Sequence, residues 1–339
     1  MAAEFSRLRE RQMRKMLAAS AVAMMAASMA VPAQAATVVR FAHMNSPEHF
    51  VHVAAQSMAD SVAERSNGEI KVELFPSGQL GENGAVTEQM SFGAEVMGQV
   101  GIGMLADYAP DYSIVLYPFL YPDFDGAKRL LASDLIKELE AKVAENNIKV
   151  LCYAHFGVRD LYTRDKEVRS PGDSNGLSIR VQPVTIYTEM VRLVFGGAAT
   201  PMPWPDVYSA LAQGVIDAAE APPSAMIDQK HFENTKFFIQ TNHMTDIVPV
   251  TVSASWFNNL SAENQAIFQE EATIACDSMT DASIASYEAG IQTLADSGMT
   301  IISDVDREAF AERAGGIASA FPEWTDGLYD RAKAIVDGQ

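Results

Sequence analysis

The chain has 339 residues, of which 48% are hydrophobic and 20% charged, and its formal net charge is −19. This composition can form the core of one or two domains and argues against a disordered chain. The acidic balance excludes a nucleic-acid-binding function, because such proteins concentrate Lys and Arg to displace counterions from phosphates, and it disfavours an anionic membrane surface.

Residues 1–35 are expected to be a leader that is removed. Arg14 and Lys15 precede an uncharged run over 16–31, and a small-x-small motif ends at Ala35. This order is typical of a secretory signal peptide, and the run is shorter than the roughly 20 residues of a membrane-spanning helix. The alternative is an uncleaved membrane anchor. Cleavage would leave a periplasmic chain with 20 basic and 42 acidic residues, a net charge of −22.

Strands and helices alternate from the start of the mature chain. Strands are predicted at residues 38–43, 70–75, 96–102, 148–154, 177–181, 236–240 and 248–255. Helices are predicted at 46–66, 84–92, 125–145, 185–195 and 205–213. This alternation predicts an α/β protein with a mainly parallel sheet that helices cover on both faces.

One predicted helix is much longer than the others. Ser261 is a suitable N-cap, Glu263 suits the helix dipole, and no Pro or Gly occurs before Gly290. A helix that continues to Ser297 would be roughly 55 Å long at 1.5 Å per residue, so we expect it to cross between two lobes. Its apolar stripe is predicted to contain Ile284, Tyr287, Ile291 and Leu294.

The sequence contains no complete catalytic or metal-binding motif. It lacks a His-Glu-x-x-His pair, a Gly-x-Ser-x-Gly elbow and a phosphate-binding loop. His43, His49 and His52 lack the further ligands that a zinc site requires, and surface or pocket histidines are the commoner case. We therefore expect no enzyme, no cofactor and no metal. The only cysteines of the mature chain, Cys152 and Cys276, could form a disulfide or remain thiols.

Two arginines and a tryptophan are candidates for a binding site. Arg159 follows the strand that closes the first α/β unit, and Arg180 lies in the strand that opens the second. A guanidinium matches a carboxylate with two hydrogen bonds, although either arginine could instead pair with a neighbouring acid. Trp204, between two prolines, could contact a ligand or fill the core.

Several segments, in the same order along the mature chain, resemble the solute-binding proteins of TRAP (tripartite ATP-independent periplasmic) transporters, in the dicarboxylate-binding-protein-like family. These are 75–81 (FPSGQLG), 176–181 (GLSIRV), 201–204 (PMPW), 207–217 (VYSALAQGVID) and Glu220. The resemblance implies a two-lobed periplasmic binding protein fold, type II-like, with a long helix spanning both lobes. It implies that lobe I is 36–157 with about 246–285, and that lobe II is 158–245 with about 286–339.

The resemblance also implies a set of ligand-binding residues. Arg180 would be the main carboxylate clamp, Arg159 a second polar anchor and Trp204 the aromatic wall. The remaining implied positions are Met44, His49, Asn83, Gly101, Phe156, Glu220 and Ala221. Sialic-acid-binding members carry Asn at position 221 and glutamate at 101, so sialic acid is disfavoured here. An aromatic, keto, hydroxy or sugar-derived acid fits better.

The function implied is capture of a small organic acid and its delivery to a membrane permease that an ion gradient drives. The permease subunits would be a transient partner, and we expect the binding protein to be a monomer. Two alternatives stay open at this point: an exported enzyme acting on such an acid, and a sensory receptor that uses the same fold.

Overall fold

The structure is a computed structural model that describes residues 36–339 together with Met13. The signal-peptide prediction falls outside the described residues. Contacts divide the chain into residues 1–37 and residues 38–339, and the description below concerns the second unit. None of the described helices has both the length and the apolar composition needed to cross a membrane.

A single mixed sheet contains all the strands of the described chain. They are β1 (Thr37–Ala42), β2 (Ile70–Phe75), β3 (Val96–Gln99), β4 (Ile148–Thr163), β5 (Ser178–Val181), β6 (Ala198–Pro201), β7 (Ala218–Ala221), β8 (Phe237–Ser253) and β9 (Thr300–Ile302). The order is β2-β1-β3-β8-β4-β7-β5-β6, and β9 also pairs with β8. The α/β class is confirmed.

The prediction of a mainly parallel sheet is wrong at its centre. β4 and β8 have 16 and 17 residues and pair antiparallel along almost their whole length, and β3 and β7 join them antiparallel. The sequence prediction ended the first of these strands at residue 154 and split the second into two. The remaining pairs, such as β1 with β3 and β5 with β6, are parallel.

The long β4–β8 pair carries two groups of strands at its opposite ends. β3 pairs with Val250–Val252 at one end of β8, whereas β9 pairs with Phe237–Ile239 at the other. β7 joins β4 only at Asp160–Thr163, which lies at the same end as β9. This arrangement gives the two-lobed α/β fold, in which two strands connect the lobes.

The change from one group to the other coincides with irregular pairing. The β4–β8 register shifts between His155 and Gly157 and again between Arg159 and Leu161. Gly157 has φ +147°, and a Cβ there would lie 2.6 Å from Cβ of Pro222. Only glycine fits this position, because the backbone conformation and the proline both exclude a side chain.

Hydrophobic clusters cover both faces of the sheet. Neighbouring residues of one strand, such as Leu161 and Tyr162 or Phe238 and Ile239, belong to different clusters. Successive side chains of a strand point to opposite faces, so the two clusters are the two covered faces. The prediction of a sheet buried on both faces is confirmed.

Helices alternate with the strands and supply these covers. They are α1 (Phe50–Arg65), α2 (Asn83–Ser91), α3 (Phe124–Leu131), α4 (Asp134–Ala144), α5 (Thr185–Met190), α6 (Val207–Gln213), α7 (Pro223–Asp228), α8 (Ala254–Asn258), α9 (Ala262–Asp296), α10 (Arg307–Ala314) and α11 (Leu328–Asp337). The predicted helix 125–145 is two helices, because the hydroxyl of Ser133 accepts a hydrogen bond from Ile136 N and starts a new one.

The long helix α9 has 35 residues, and the Ser261 hydroxyl caps it by accepting a hydrogen bond from Asn264 N. Its predicted stripe is wrong at Ile284, which is exposed, whereas Leu294 is buried. A disulfide joins Cys152 of β4 to Cys276 of α9, which decides between the two states left open above. The helix is therefore fixed covalently to one of the two long strands.

Candidate functional site

A cavity of about 580 Å³ opens beside the irregular part of β4. Eight of the ten predicted site residues line it: Met44, Asn83, Gly101, Phe156, Arg159, Arg180, Trp204 and Ala221. They come from segments that lie up to 177 positions apart in the chain, between Met44 and Ala221. The fold therefore brings the predicted residues to one place, although it does not treat the two arginines alike.

Arg180 is a buried cation that has no acidic partner among residues 36–339. Its Nε and Nη2 donate to the carbonyl oxygen of Met202 at 3.0 and 2.7 Å. Its Nη1 is buried and finds no hydrogen-bond partner in the part of the chain that the structure describes. Burial lowers the pKa of Arg180 to about 10, and the residue stays protonated at neutral pH. Nη1 and the second N–H of Nη2 are free for a ligand.

Trp204 lies against this guanidinium. Cζ of Arg180 is 5.0 Å from the centroid of the indole ring, within the range of a cation–π contact. The ring of His231 also contacts Trp204, in an edge arrangement with 4.7 Å between the ring centroids. Trp204 is half-buried and lines the cavity, so it holds the arginine in place and also presents an apolar surface.

Arg159, in contrast, has two carboxylate partners of its own. Its Nη2 donates to Oε1 of Glu220 at 2.7 Å and to the Glu220 carbonyl oxygen at 2.8 Å. Its Nε donates to Oε2 of Glu220, and its Nη1 donates to Oδ2 of Asp246. Four of the five N–H groups are therefore occupied, and little donor capacity remains for the predicted role as a second anchor.

Burial and charge act in opposite directions on the acids around Arg159. Burial raises the pKa of Glu220, but the Arg159 charge and the hydrogen bond from His243 outweigh it, and the net pKa is below the ordinary value. Burial dominates at Asp246 and raises its pKa in spite of Arg159. Burial also lowers the pKa of His243, although Glu220 acts in the opposite direction. The lowered pKa favours a neutral ring.

Two of the predicted residues, His49 and Glu220, are not on the cavity wall. Glu220 is fully buried behind Arg159, which uses its carboxylate. Nδ1 of His49 accepts a hydrogen bond from Val51 N and caps α1, and its ring stacks on Phe50 at 4.1 Å. Its ring centroid lies 5.6 Å from that of Phe156, which does line the cavity.

The two departures from the sialic-acid pattern occupy confined positions. A Cβ at Gly101 would lie 3.0 Å from Oε1 of Gln182, so a glutamate there would displace Gln182. Ala221 is buried in β7, where it pairs with Asp160 of β4. Neither position supplies a polar group to the cavity.

Sequence reasoning missed most of the polar cavity wall. The missed residues that line the cavity include the amides Asn45, Gln99 and Gln182 and the acids Glu82, Asp107 and Asp246. Gln182 could have been found from the sequence, because it directly follows the strand that contains Arg180. Asp246 had none, because residues 241–247 were assigned to no element.

The histidines near the site do not form a metal centre. Nε2 of His43 lies 3.1 Å from Nδ1 of His52, and burial lowers the pKa of His43 to about 4. Among residues 36–339, no group of three or more His, Cys, Asp or Glu side chains is arranged to hold a metal ion.

The chain is similar to a family of bacterial transport proteins. A sequence model of the family described as "Bacterial extracellular solute-binding protein, family 7" matches residues 41–321. The 2,3-diketo-L-gulonate-binding periplasmic protein YiaO of Escherichia coli K12 is 30% identical over 281 residues, which cover 83% of this chain and 85% of that protein. These relatives are solute-binding proteins rather than enzymes.

Solved structures of the same kind share the fold. A TRAP periplasmic solute-binding protein of Actinobacillus succinogenes with bound L-galactonate is 31% identical, with a TM-score of 0.85 and coverage of 89% of this chain and 100% of that one. Another, from Fusobacterium nucleatum with bound sn-glycerol 3-phosphate, is 30% identical with a TM-score of 0.86, and the coverage is 89% and 98%. Both ligands are small anions.

Proposed function

The chain belongs to the bacterial extracellular solute-binding proteins of family 7, and from that premise we propose that it binds a small organic acid in the cavity around Arg180 and delivers it to a TRAP permease. The observation that carries this proposal is that Nη1 of Arg180 is buried without a hydrogen-bond partner in the described part of the chain. A buried guanidinium with free donors and no acidic partner is costly to leave unpaired, and a ligand carboxylate would satisfy it.

The ligand carboxylate accepts hydrogen bonds from Nη1 and Nη2 of Arg180. The Met202 carbonyl accepts from Nε and Nη2, the adjacent edge of the guanidinium, and thereby sets its orientation. Trp204 stacks beside the ligand and excludes water, which strengthens the ion pair. Arg159 keeps one N–H for the ligand and otherwise shapes the cavity through Glu220 and Asp246.

The body of the ligand is hydroxylated. The side-chain amides of Asn45, Asn83 and Gln99 line the cavity. An amide both donates and accepts, as sugar hydroxyls do. The L-galactonate bound by the relative from Actinobacillus succinogenes has this chemistry, and we take sugar acids as the first ligands to test.

Two lobes close over the ligand, with residues 36–157 and about 246–285 as lobe I and 158–245 and about 286–339 as lobe II. The C-terminal helix α11, which this division assigns to lobe II, also contacts α3 of lobe I, because Nε of Arg129 donates to Val336 O at 2.9 Å. The ligand favours the closed arrangement only by its higher affinity for it. The closed protein, exported through its cleaved signal peptide, then docks on the permease.

A thermal-shift screen of small organic acids tests the proposal on three proteins. The wild type should be stabilised by at least one acid, since ligand at about 100 times its Kd adds roughly 2.7 kcal/mol. Arg180→Ala should fold but show no shift, and Arg180→Lys should bind weakly because it lacks the fork. Arg192→Ala, which removes an exposed arginine from a surface ion pair, is the control and should bind normally.

Equal shifts for Arg180→Ala and the wild type would refute the clamp. The acids that bind should also be recovered unchanged after incubation with the protein. Conversion of a bound acid would instead support the alternative of an exported enzyme.

A further inference from the structure

The charges around the cavity leave one uncompensated cation. Arg159 faces two carboxylates, those of Glu220 and Asp246, and both accept its hydrogen bonds. In the described part of the chain, Arg180 does not form an ion pair with any Asp or Glu, and its Nη1 has no hydrogen-bond partner. A ligand that brings one carboxylate therefore neutralises Arg180, and a second carboxylate has no free guanidinium to meet.

The rest of the cavity wall is unfavourable to a second negative charge. Asp246 lines the cavity and uses only Oδ2 on Arg159, so Oδ1 remains an acceptor without a donor among the described residues. Glu82 and Asp107 line the cavity as well. Acceptors of this kind match hydroxyl donors, whereas a carboxylate brought close to them is repelled.

One feature acts in the opposite direction. The first turn of α2 lines the cavity at Asn83, Gly84 and Ala85, and no side chain caps it. Helix N-terminal N–H groups favour an anion, but the effect is limited and falls off within one turn. Glu82, the N-cap residue of this helix, places its own charge beside these groups, so the helix does not replace a second arginine.

We propose that the cavity accepts acids with a single carboxylate, and that Asp246 is the residue that excludes acids with a carboxylate at both ends. This inference rests on the proposed function and makes it more specific. Within the sugar acids it favours aldonates, which end in a hydroxyl group, over the aldarates of the same carbon skeleton. Asp246, which lines the cavity beside Arg159, thus determines this specificity.

Matched acid pairs test this by calorimetric titration at neutral pH. The pairs are L-galactonate with galactarate and D-gluconate with D-glucarate, which differ only in the oxidation of the terminal carbon. We expect the monocarboxylate of a binding pair to bind at least about 100-fold more tightly to the wild type. Asp246→Asn should reduce this ratio by at least about tenfold, because it removes the repelling charge. Asp134→Asn, an exposed acid on α4 that does not line the cavity, should leave the ratio unchanged.

The wild-type ratio decides the question even if Asp246→Asn does not fold. A dicarboxylate that binds as tightly as its partner overturns the inference and leaves the proposed function intact. If none of the four acids binds, the ligand released from the purified protein takes their place: a monocarboxylate supports the inference, and a dicarboxylate overturns it. A released ligand without any carboxylate overturns the proposed function and the inference together.

Discussion

Arg159 and Arg180 show that the partners of a residue decide its role. Both are buried arginines on the cavity wall, but Arg159 donates to the carboxylates of Glu220 and Asp246, whereas Arg180 donates only to the Met202 carbonyl among residues 36–339. Arg159 is a structural cation that connects β4, β7 and β8. Arg180 keeps Nη1 and one N–H of Nη2 available to donate to a ligand. The residue type alone does not distinguish them.

The structural role of Arg159 predicts a large effect of Glu220→Gln. The substitution leaves a buried guanidinium with one carboxylate less, and breaking a buried pair costs about 3 to 5 kcal/mol of unfolding free energy. Urea denaturation measures it. Glu138→Gln, which breaks an exposed pair with Arg331, is the matched control and should cost much less. Equal losses in the two variants would refute a structural role of the buried pair.

The sequence located most of the candidate wall but not the state of each side chain. The motif around Arg180 and the resemblance placed eight of ten residues on the cavity, because these segments are continuous in the chain. Glu220 and His49 do not line the cavity, because Arg159 and Val51 engage them through a tertiary and a capping contact that the sequence does not indicate. Asp246 was missed because nothing local marks a carboxylate that pairs across 87 positions.

At the scale of elements, three long segments meet where the sheet changes from one group of strands to the other. Asp160 of β4 accepts hydrogen bonds from Asn242 N of β8 and from the Tyr287 hydroxyl of α9, both at 2.7 Å. One buried carboxyl thus joins both connecting strands to the long helix. Burial raises its pKa to about 7, although the two hydrogen bonds act in the opposite direction.

This raised pKa predicts that stability depends on pH. The folded protein binds the Asp160 proton more tightly than the unfolded chain, so the contribution is complete below pH 4 and is lost as the pH rises towards 7. Between pH 5 and pH 8 it decreases by about 2 to 3 kcal/mol. Asp160→Asn removes this decrease, and the variant should gain on the wild type as the pH rises.

Denaturation of both proteins at pH 5 and pH 8 makes the comparison. Asp134→Asn is the control, because Lys137 lowers the pKa of this exposed acid and keeps its titration out of that range. A stability difference between Asp160→Asn and the wild type that stays constant with pH would contradict the assignment.

Two segments beside the cavity contact each other at residues that do not themselves line it. A Cβ at Gly103, in the 3₁₀ turn after β3, would lie 2.8 Å from Cγ1 of Val184, which precedes α5. Neither residue is on the cavity wall, whereas their neighbours Gly101 and Gln182 are. In the predicted division these segments belong to different lobes, so their contact would form on closure.

Gly103→Ala should therefore weaken ligand binding without altering the cavity. The added methyl group opposes the closed arrangement, and we expect about a tenfold loss of affinity, equivalent to about 1.4 kcal/mol. The double variant Gly103→Ala, Val184→Ala removes the clashing methyl groups and should recover most of it. Calorimetry on the two proteins is the measurement; unchanged affinity in the single variant would show that this contact is not part of closure.

The lengths of elements explain where the fold prediction succeeded and failed. The α9 helix was predicted within one residue at each end, because Ser261 caps it and no breaker interrupts it. β4 and β8 were too short in the prediction, since buried polar residues such as Asp160, His243 and Asp246 interrupt their apolar pattern. These interruptions are the residues that surround Arg159 and the connection between the lobes.

For the whole molecule, the acidic balance and an anionic ligand are compatible. The chain after residue 35 has a net charge of −22, yet the cavity contains Arg180, a buried cation that no described acid pairs with. Net charge governs the long-range field and solubility, and a buried group acts locally where screening is weak. An acidic surface therefore excludes nucleic acid without excluding a small organic anion.

The most direct test of this account is native mass spectrometry of the wild type and Arg180→Ala purified from the same culture. The account predicts that the wild type carries a small molecule that is released on unfolding and identified as an intact organic acid. Arg180→Ala should carry none. A variant that retains the same bound mass, or a released molecule without an acidic group, would contradict the assignment of Arg180 as the carboxylate receptor.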